Sequence, residues 1–226
     1  MITFNGMPRA FLFDLDGTLV DSERENAESI AIVLASRGRK MTDEERAFVV
    51  GHGWREIYEH LRGNGGVSLS FDQLKELAAI AKERICEEAG MRVIPGAVAF
   101  VREAARRAPC AIISGSSRRE IDFCVRTLRI ETEIPWFIGA EDVSAGKPSP
   151  EGYLAAAKRL AVEPKDCMVF EDSAAGIASA RAAGMACIAL SAANFLGVDQ
   201  SAADQVVRDF EALGSSFFAA ALEAAD

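Results

Sequence analysis

Residues 10–22 read AFLFDLDGTLVDS. Ala10, Phe11, Leu12 and Phe13 are apolar without alternation, the pattern of a short strand buried on both faces. Asp14 follows at once and Asp16 two positions later. Residues i and i+2 of a strand point the same way, so the two carboxylates lie side by side. In a partly buried place that is costly unless a cation or a shared proton relieves them. Oxygen donors of this kind suit Mg2+, which uses one or two carboxylates together with phosphate and water. Asp16-Gly17 also has the composition of a tight turn after a strand, and alone the stretch leaves both readings open.

Working outward, four more apolar runs read as buried strands: Cys110–Ile113, Trp136–Ile138, Cys167–Phe170 and Ala186–Leu190. Helical periods lie between most of them. Ile121, Cys124, Val125 and Leu128 make one stripe; Leu154, Ala157 and Ala161 make another. Strands alternating with helices predict an α/β fold, a Rossmann-like parallel sheet with helices on both faces. In such sheets ligands bind beyond the C-terminal strand ends.

Residues 20–92 break the alternation and hold helical stripes only: Ala27, Ile30, Ala31 and Leu34; then Trp54, Ile57, Tyr58 and Leu61; then Leu74, Leu77, Ala78, Ala81 and Ile85. Thr42-x-x-Glu45 and Ser70-x-x-Gln73 have capping-box spacing, which starts helices there. Gly63-Asn64-Gly65-Gly66 is a loop between two of them, and Pro95-Gly96 marks the return to the sheet. The expected organisation is a helical insert at 20–92 in an α/β core made of 1–19 and 93–226. The alanine-rich C-terminal end, FFAAALEAAD, reads as a helix.

Three further polar clusters each follow an apolar run or a loop. Ser114-Gly115-Ser116-Ser117 comes directly after AII; hydroxyls and free amides at a helix start favour a phosphate, though a serine N-cap explains them equally. Gly146-Lys147-Pro148-Ser149-Pro150 holds a lysine in a loop stiffened by proline, suited to neutralising a phosphate or simply to facing solvent. Glu171-Asp172-Ser173 ends the run MVF in two acids, of which N-capping accounts for one.

The chain of 226 residues fits one large domain or a domain with an insert, and half of its residues are hydrophobic. Its net charge of −9 disfavours non-specific nucleic-acid binding, because no basic excess displaces counterions from phosphates. A local metal or lysine still allows a small anionic substrate. The five cysteines form no C-x-x-C pair and read as reduced, buried thiols of a cytoplasmic protein. MITFNGMPRA has no signal-peptide pattern, and no apolar stretch reaches membrane-spanning length, so no membrane partner is expected.

Four such clusters in this order resemble the motifs of the haloacid dehalogenase-like superfamily of hydrolases. D-x-D-G-T at 14–18, the serine after the second core strand, the G-K-P lysine and the E-D pair carry the resemblance, which covers nearly the whole chain. FEDSAAGI and GKPSPEGY are most similar to its β-phosphoglucomutase and sugar-phosphate phosphatase branch, and the insert resembles the cap of that branch.

The resemblance implies a Mg2+-dependent phosphatase of a small phosphorylated metabolite, acting as a monomer. Asp14 would be the nucleophile that becomes an aspartyl phosphate, and Asp16 the general acid and then base. Asp14, Asp16 through its main-chain carbonyl, and Asp172 would bind the metal, with Glu171 a ligand or just behind. Ser114, Gly115, Ser116 and Lys147 would bind the phosphoryl oxygens, and Thr18 would orient the nucleophile loop. Asp16 favours phosphoryl transfer over dehalogenation, which needs no leaving-group acid. A phosphonate-cleaving branch needs a Schiff-base lysine, and Lys40, Lys75 and Lys82 are not in evidently apolar settings. A phosphomutase with the same residues and a catalytically idle binding member of the fold are the alternatives. In the insert, the stretch 50–55 supplies His52 and Arg55 as candidate contacts to the non-reacting end of the substrate.

Overall fold

The computed structural model describes residues 7–50, 52–64, 66–214 and 217–218. In chain order they form β1 (Ala10–Phe13), α1 (Glu23–Ala35), α2 (Asp43–Val49), α3 (Trp54–Gly63), α4 (Phe71–Ala89), α5 (Ala97–Ala105) and β2 (Cys110–Ile113). There follow α6 (Arg118–Leu128), β3 (Phe137–Ile138), α7 (Glu151–Leu160), β4 (Cys167–Glu171), α8 (Ala174–Ala182), β5 (Ala186–Leu190), β6 (Gln205–Val207) and α9 (Phe210–Leu213).

All six strands are parallel in the order β3-β2-β1-β4-β5-β6, which makes this the Rossmann-like α/β sheet expected. β1 lies between β2 and β4. The chain runs outward to one side of it through β3 and to the other through β5 and β6, so the switch in strand order falls at the end of β1.

The period of two along β1 sorts the core. Ala10 and Leu12 pack with Tyr153, Ala156 and Ala157 of α7 and Ile177 and Ala180 of α8. Phe11 and Phe13 face the other way. There the Phe13 and Phe170 rings stack at 5.1 Å, and Phe100 of α5 meets Phe170 edge-on at 5.0 Å. One face is therefore lined with small residues under two helices, and the other is filled by aromatic rings.

The chain divides into two compact units, Ser22–Arg92 and the sheet unit on either side of it. Val20 stays with the sheet unit, through bridges to Asp16 and Val93, and Ile94 N donates to Leu19 O at 3.0 Å. The unit Ser22–Arg92 is helical throughout, with α1 and α4 as its main packing pair around Ile30, Leu34, Leu61 and Leu74. Thr42 and Ser70 cap α2 and α4 with both arms of a capping box, through Glu45 and Gln73.

Two expectations shift, and one strand goes unread. The third strand begins at Phe137, because Trp136 turns to pack against the sheet edge. β6 carries no apolar run: its Val206 is 47% exposed, so its sequence, DQVVRD, looks like a loop. The buried face of α7 is Gly152, Tyr153, Ala156 and Ala157, while Leu154 is 39% exposed and Ala161 is the C-cap. Three successive alanines in α7 set no phase, and the ring of Tyr153 takes the inward position. The alanine-rich C-terminal end lies mostly outside the described residues. All five cysteines are free and buried, and no described helix is long and apolar enough to cross a membrane.

Candidate active site

The strand register builds the site. Phe13 pairs with Phe170, so Asp14 and Glu171 are next-door residues at the ends of neighbouring strands. Asp14 N donates to Phe170 O at 2.9 Å, and alternation puts both carboxylates on the α7 side of the sheet. Lys147 reaches the same place from the loop before α7, and its Nζ donates to both Asp14 Oδ1 and Glu171 Oε1. That loop is held by Ser149 N on Gly146 O at 3.0 Å and by Ser179 Oγ of α8 on Ser149 O at 2.6 Å. Lys147 is thus placed by hydrogen bonds to α8 as well as by its prolines.

Glu171 is fully buried and saturated with donors. Oε1 accepts from Lys147 and from Tyr153 Oη at 3.0 Å. Oε2 accepts from Asp172 N at 3.0 Å and from both Ser173 N and Ser173 Oγ at 3.1 Å. A carboxylate has about four lone-pair sites, so these contacts use it up. Ser173 also caps α8 by accepting from Gly176 N at 3.0 Å. A Cβ at Gly176 would lie 1.7 Å from Glu171 Oε1, so only glycine leaves room for that carboxylate.

Asp172 packs against the loop that follows β1. Gly17 has φ +82°, and a Cβ there would sit 2.0 Å from Asp172 Oδ2. Thr18, fully buried, donates to Asp172 Oδ1 at 3.4 Å. Carboxylate oxygens of Asp14, Glu171 and Asp172 lie within 4.8 Å of one another. The Asp16 side chain is outside that trio and accepts a hydrogen bond from Ser116 Oγ. Ser114 N donates to Ile138 O at 3.0 Å, and Ser114 Oγ accepts from Ser116 N at 3.0 Å. The N-cap of α6 is Ser117, which leaves Ser114, Gly115 and Ser116 as the loop ahead of it, with Gly115 exposed.

Crowding shows in the protonation equilibria. Burial, reinforced by Glu171 and opposed by Lys147, pushes Asp14 up to about 8. Burial and then the charges of Glu171 and Asp14 push Asp172 well above the carboxylate range. Burial pulls Lys147 down, but Asp14 and Glu171 more than offset it and hold its pKa above that of an ordinary lysine. The carboxylates outnumber the one ammonium group, and Asp14 and Asp172, unlike the saturated Glu171, offer oxygens that fit a small divalent cation such as Mg2+.

Two site residues escaped the sequence. Tyr153 was hidden by the misread phase of α7. Gln200, whose Nε2 donates to Asp172 O, sits in a loop with no pattern to mark it. The remaining candidates belong to the helical unit. His52 is exposed, its ring stacks on Phe48 at 3.9 Å, and its Nδ1 lies 3.3 Å from Val50 O. Arg55 opens α3 with Trp54, so it stands on a helix and not in the loop, and its guanidinium lies 4.3 Å over the Phe71 ring. Lys82, on α4, is buried, 8% exposed.

Acids and a fixed lysine gathered where strand order switches define an α/β enzyme of the kind that binds small charged ligands beyond its strand ends. The comparison with known families narrows this. A model described as haloacid dehalogenase-like hydrolase matches residues 8–184, and the chain belongs to that family. It is 34% identical over 187 residues to Validoxylamine A 7'-phosphate phosphatase of Streptomyces hygroscopicus subsp. limoneus, covering 81% of this chain and 86% of that protein. It is 32% identical to Hexitol phosphatase A of Escherichia coli (strain K12), covering 81% and 83%. The crystal structure of CbbY from Rhodobacter sphaeroides in complex with phosphate superposes with a TM-score of 0.81 at 24% identity, covering 92% and 97%, which shows the shared fold.

Proposed function

We propose that this enzyme is a Mg2+-dependent phosphatase of a small phosphorylated metabolite, a sugar phosphate or a close analogue, acting through an aspartyl phosphate on Asp14. The observation that carries the reading is the crowding of Asp14, Glu171 and Asp172 at the end of the central strand, with Lys147 bridging the first two. The names of the relatives, phosphatases of phosphorylated carbohydrates and related compounds, support the substrate class.

In the first step an Asp14 oxygen attacks phosphorus in line, and the bond to the leaving alcohol oxygen breaks as Asp16 gives that oxygen its proton. In the second, Asp16 takes a proton from water, the hydroxide attacks the acyl phosphate, and inorganic phosphate leaves with Asp14 regenerated. Lys147, the Ser114 hydroxyl and the Gly115 amide bind the phosphoryl oxygens while charge is in flight. Ser116 also orients Asp16. Asp14, Asp172 and the Asp16 main-chain carbonyl would hold Mg2+, whose charge lets an anionic nucleophile approach an anionic phosphate. Glu171, its lone pairs already used, serves behind them by fixing Lys147 and the Asp172 amide. Ser22–Arg92 serves as the cap of this branch, and Arg55 grips the substrate's non-reacting end.

The test is phosphate release from p-nitrophenyl phosphate and from a panel of phosphorylated metabolites, in Mg2+ and in EDTA. Release in Mg2+, silence in EDTA and recovery on adding Mg2+ are expected. Undiminished turnover in chelator overturns the metal assignment, and no release from any compound overturns the hydrolytic reading.

A further inference from the structure

Gln200 lies in the loop between β5 and β6 and is 5% exposed. Its Nε2 donates to Asp172 O at 2.6 Å and to Leu190 O at 2.7 Å. A side-chain amide nitrogen has two donors, and both go to main-chain carbonyls. These carbonyls stand at the ends of adjacent strands, Leu190 closing β5 and Asp172 just beyond β4. The β4–β5 register runs out at Glu171 and Ala189, so the sheet ladder does not fix Asp172. Gln200 takes over where the ladder stops.

Gln200 is itself held. Its carbonyl accepts from Ala203 N at 3.0 Å. The following turn is tied to β5 by Asp204 N on Cys187 O at 2.9 Å and Cys187 N on Asp204 Oδ2 at 2.8 Å. Asp172 is therefore gripped from two sides. Thr18 donates to its carboxylate in the space that Gly17 leaves open, and Gln200 holds its carbonyl. Without the amide, two buried carbonyls lose a donor and the Asp172 backbone is free to shift away from β5.

We propose that Gln200 is a positioning residue that sets the Asp172 carboxylate for Mg2+, an inference that rests on reading Asp172 as a ligand. Groups that only orient a ligand typically change metal affinity about 10–100-fold. Gln200→Met keeps length and burial but removes both donors. Gln200→Asn keeps the amide and shortens its reach, and serves should the methionine variant fold poorly. Isothermal titration of Mg2+ without substrate, well below the melting temperature, should show Kd raised about 10–100-fold in these variants. With Mg2+ in large excess, kcat should return close to the parent value, which a general loss of structure would not allow. Phe195→Ser, an exposed change in the same loop, should leave Kd unchanged. Asp172→Asn, titrated in parallel, separates the two readings. If Asp172→Asn loses Mg2+ while both Gln200 variants bind as the parent does, the positioning role is overturned and the metal site stands. If the parent chain binds no Mg2+, both fall.

Discussion

In the helical unit, Glu45 is 2% exposed, and its carboxylate accepts Arg39 at one oxygen and Thr42 N at 3.0 Å at the other. In the sheet unit, Asp14, Glu171 and Asp172 crowd together, and one lysine bridges the first two. The first acid is matched one for one and completes a helix cap. The second group is left with more negative charge than its surroundings compensate. A matched buried acid is a device for holding the fold, while an unmatched cluster has a purpose only when something positive arrives. The location of each follows from backbone geometry: Glu45 sits at a helix start, and the trio sits at strand ends that the sheet cannot separate.

The sharpest way to break this comparison is a pair of isosteric amides. Asp14→Asn should lower kcat by at least about 10⁴-fold, the scale seen when a reacting group is removed. Above about pH 8 in EDTA, where Asp14 is ionised, its melting temperature should hold or rise, because a buried repulsion is relieved. Glu45→Gln should do the reverse, leaving kcat nearly intact while costing about 1–3 kcal/mol through the stranded Arg39. That is several degrees in a domain of this size. Residual turnover in Asp14→Asn removes it from the nucleophile's role, and a matching loss of stability in the two variants dissolves the contrast.

A smaller effect is expected at Arg55. If it grips the remote end of the substrate, Arg55→Ala should reduce kcat/KM for a sugar phosphate about 10-fold or more and spare p-nitrophenyl phosphate, which offers no second polar group. The reason is that remote contacts position the substrate and need not touch phosphorus. Equal losses on both would assign Arg55 to the fold, where its seat over Phe71 already places it.

A further effect is on stability alone. Asp14 keeps its proton in the folded, metal-free protein up to about 8, against 3.8 for the unfolded chain, chiefly through burial. Between those values the unfolded state binds fewer protons, so stability falls as pH rises. This contribution is complete below about pH 4 and gone above the folded pKa. Melting temperatures in EDTA should therefore drop from pH 5 to pH 9, and saturating Mg2+ should flatten the curve by binding the carboxylate form. A level profile in EDTA would mean that Lys147 compensates the cluster fully.

Five of the six described strands could be read from their apolar runs, four of them because both faces are buried, and the helical stretch could be read because its stripes and capping boxes are local. Asp14, Asp16, Ser114, Lys147, Glu171 and Asp172 were visible for a related reason: each follows an apolar run or sits in a proline-held loop, where a polar residue is out of pattern. β6 was not legible, because an exposed edge strand needs no apolar run. Nor was the inward turn of Tyr153, since the alanines around it fit any phase.

By itself the sequence determined the alternation of strands and helices, the place of the helical unit and the acids that end the strands, all set within a few residues by periodicity and burial. Only the tertiary structure decided that Asp14 and Glu171 are neighbours bridged by Lys147, that Glu171 is saturated through Tyr153 and Ser173, and that Gln200 holds the carbonyl of Asp172. Those contacts join residues 18 to 157 positions apart wherever they cross between elements, as Tyr153 to Glu171 and Asp14 to Glu171 do. Such distances in the chain are closed by parallel strand pairing, which leaves no local trace in the residues it brings together.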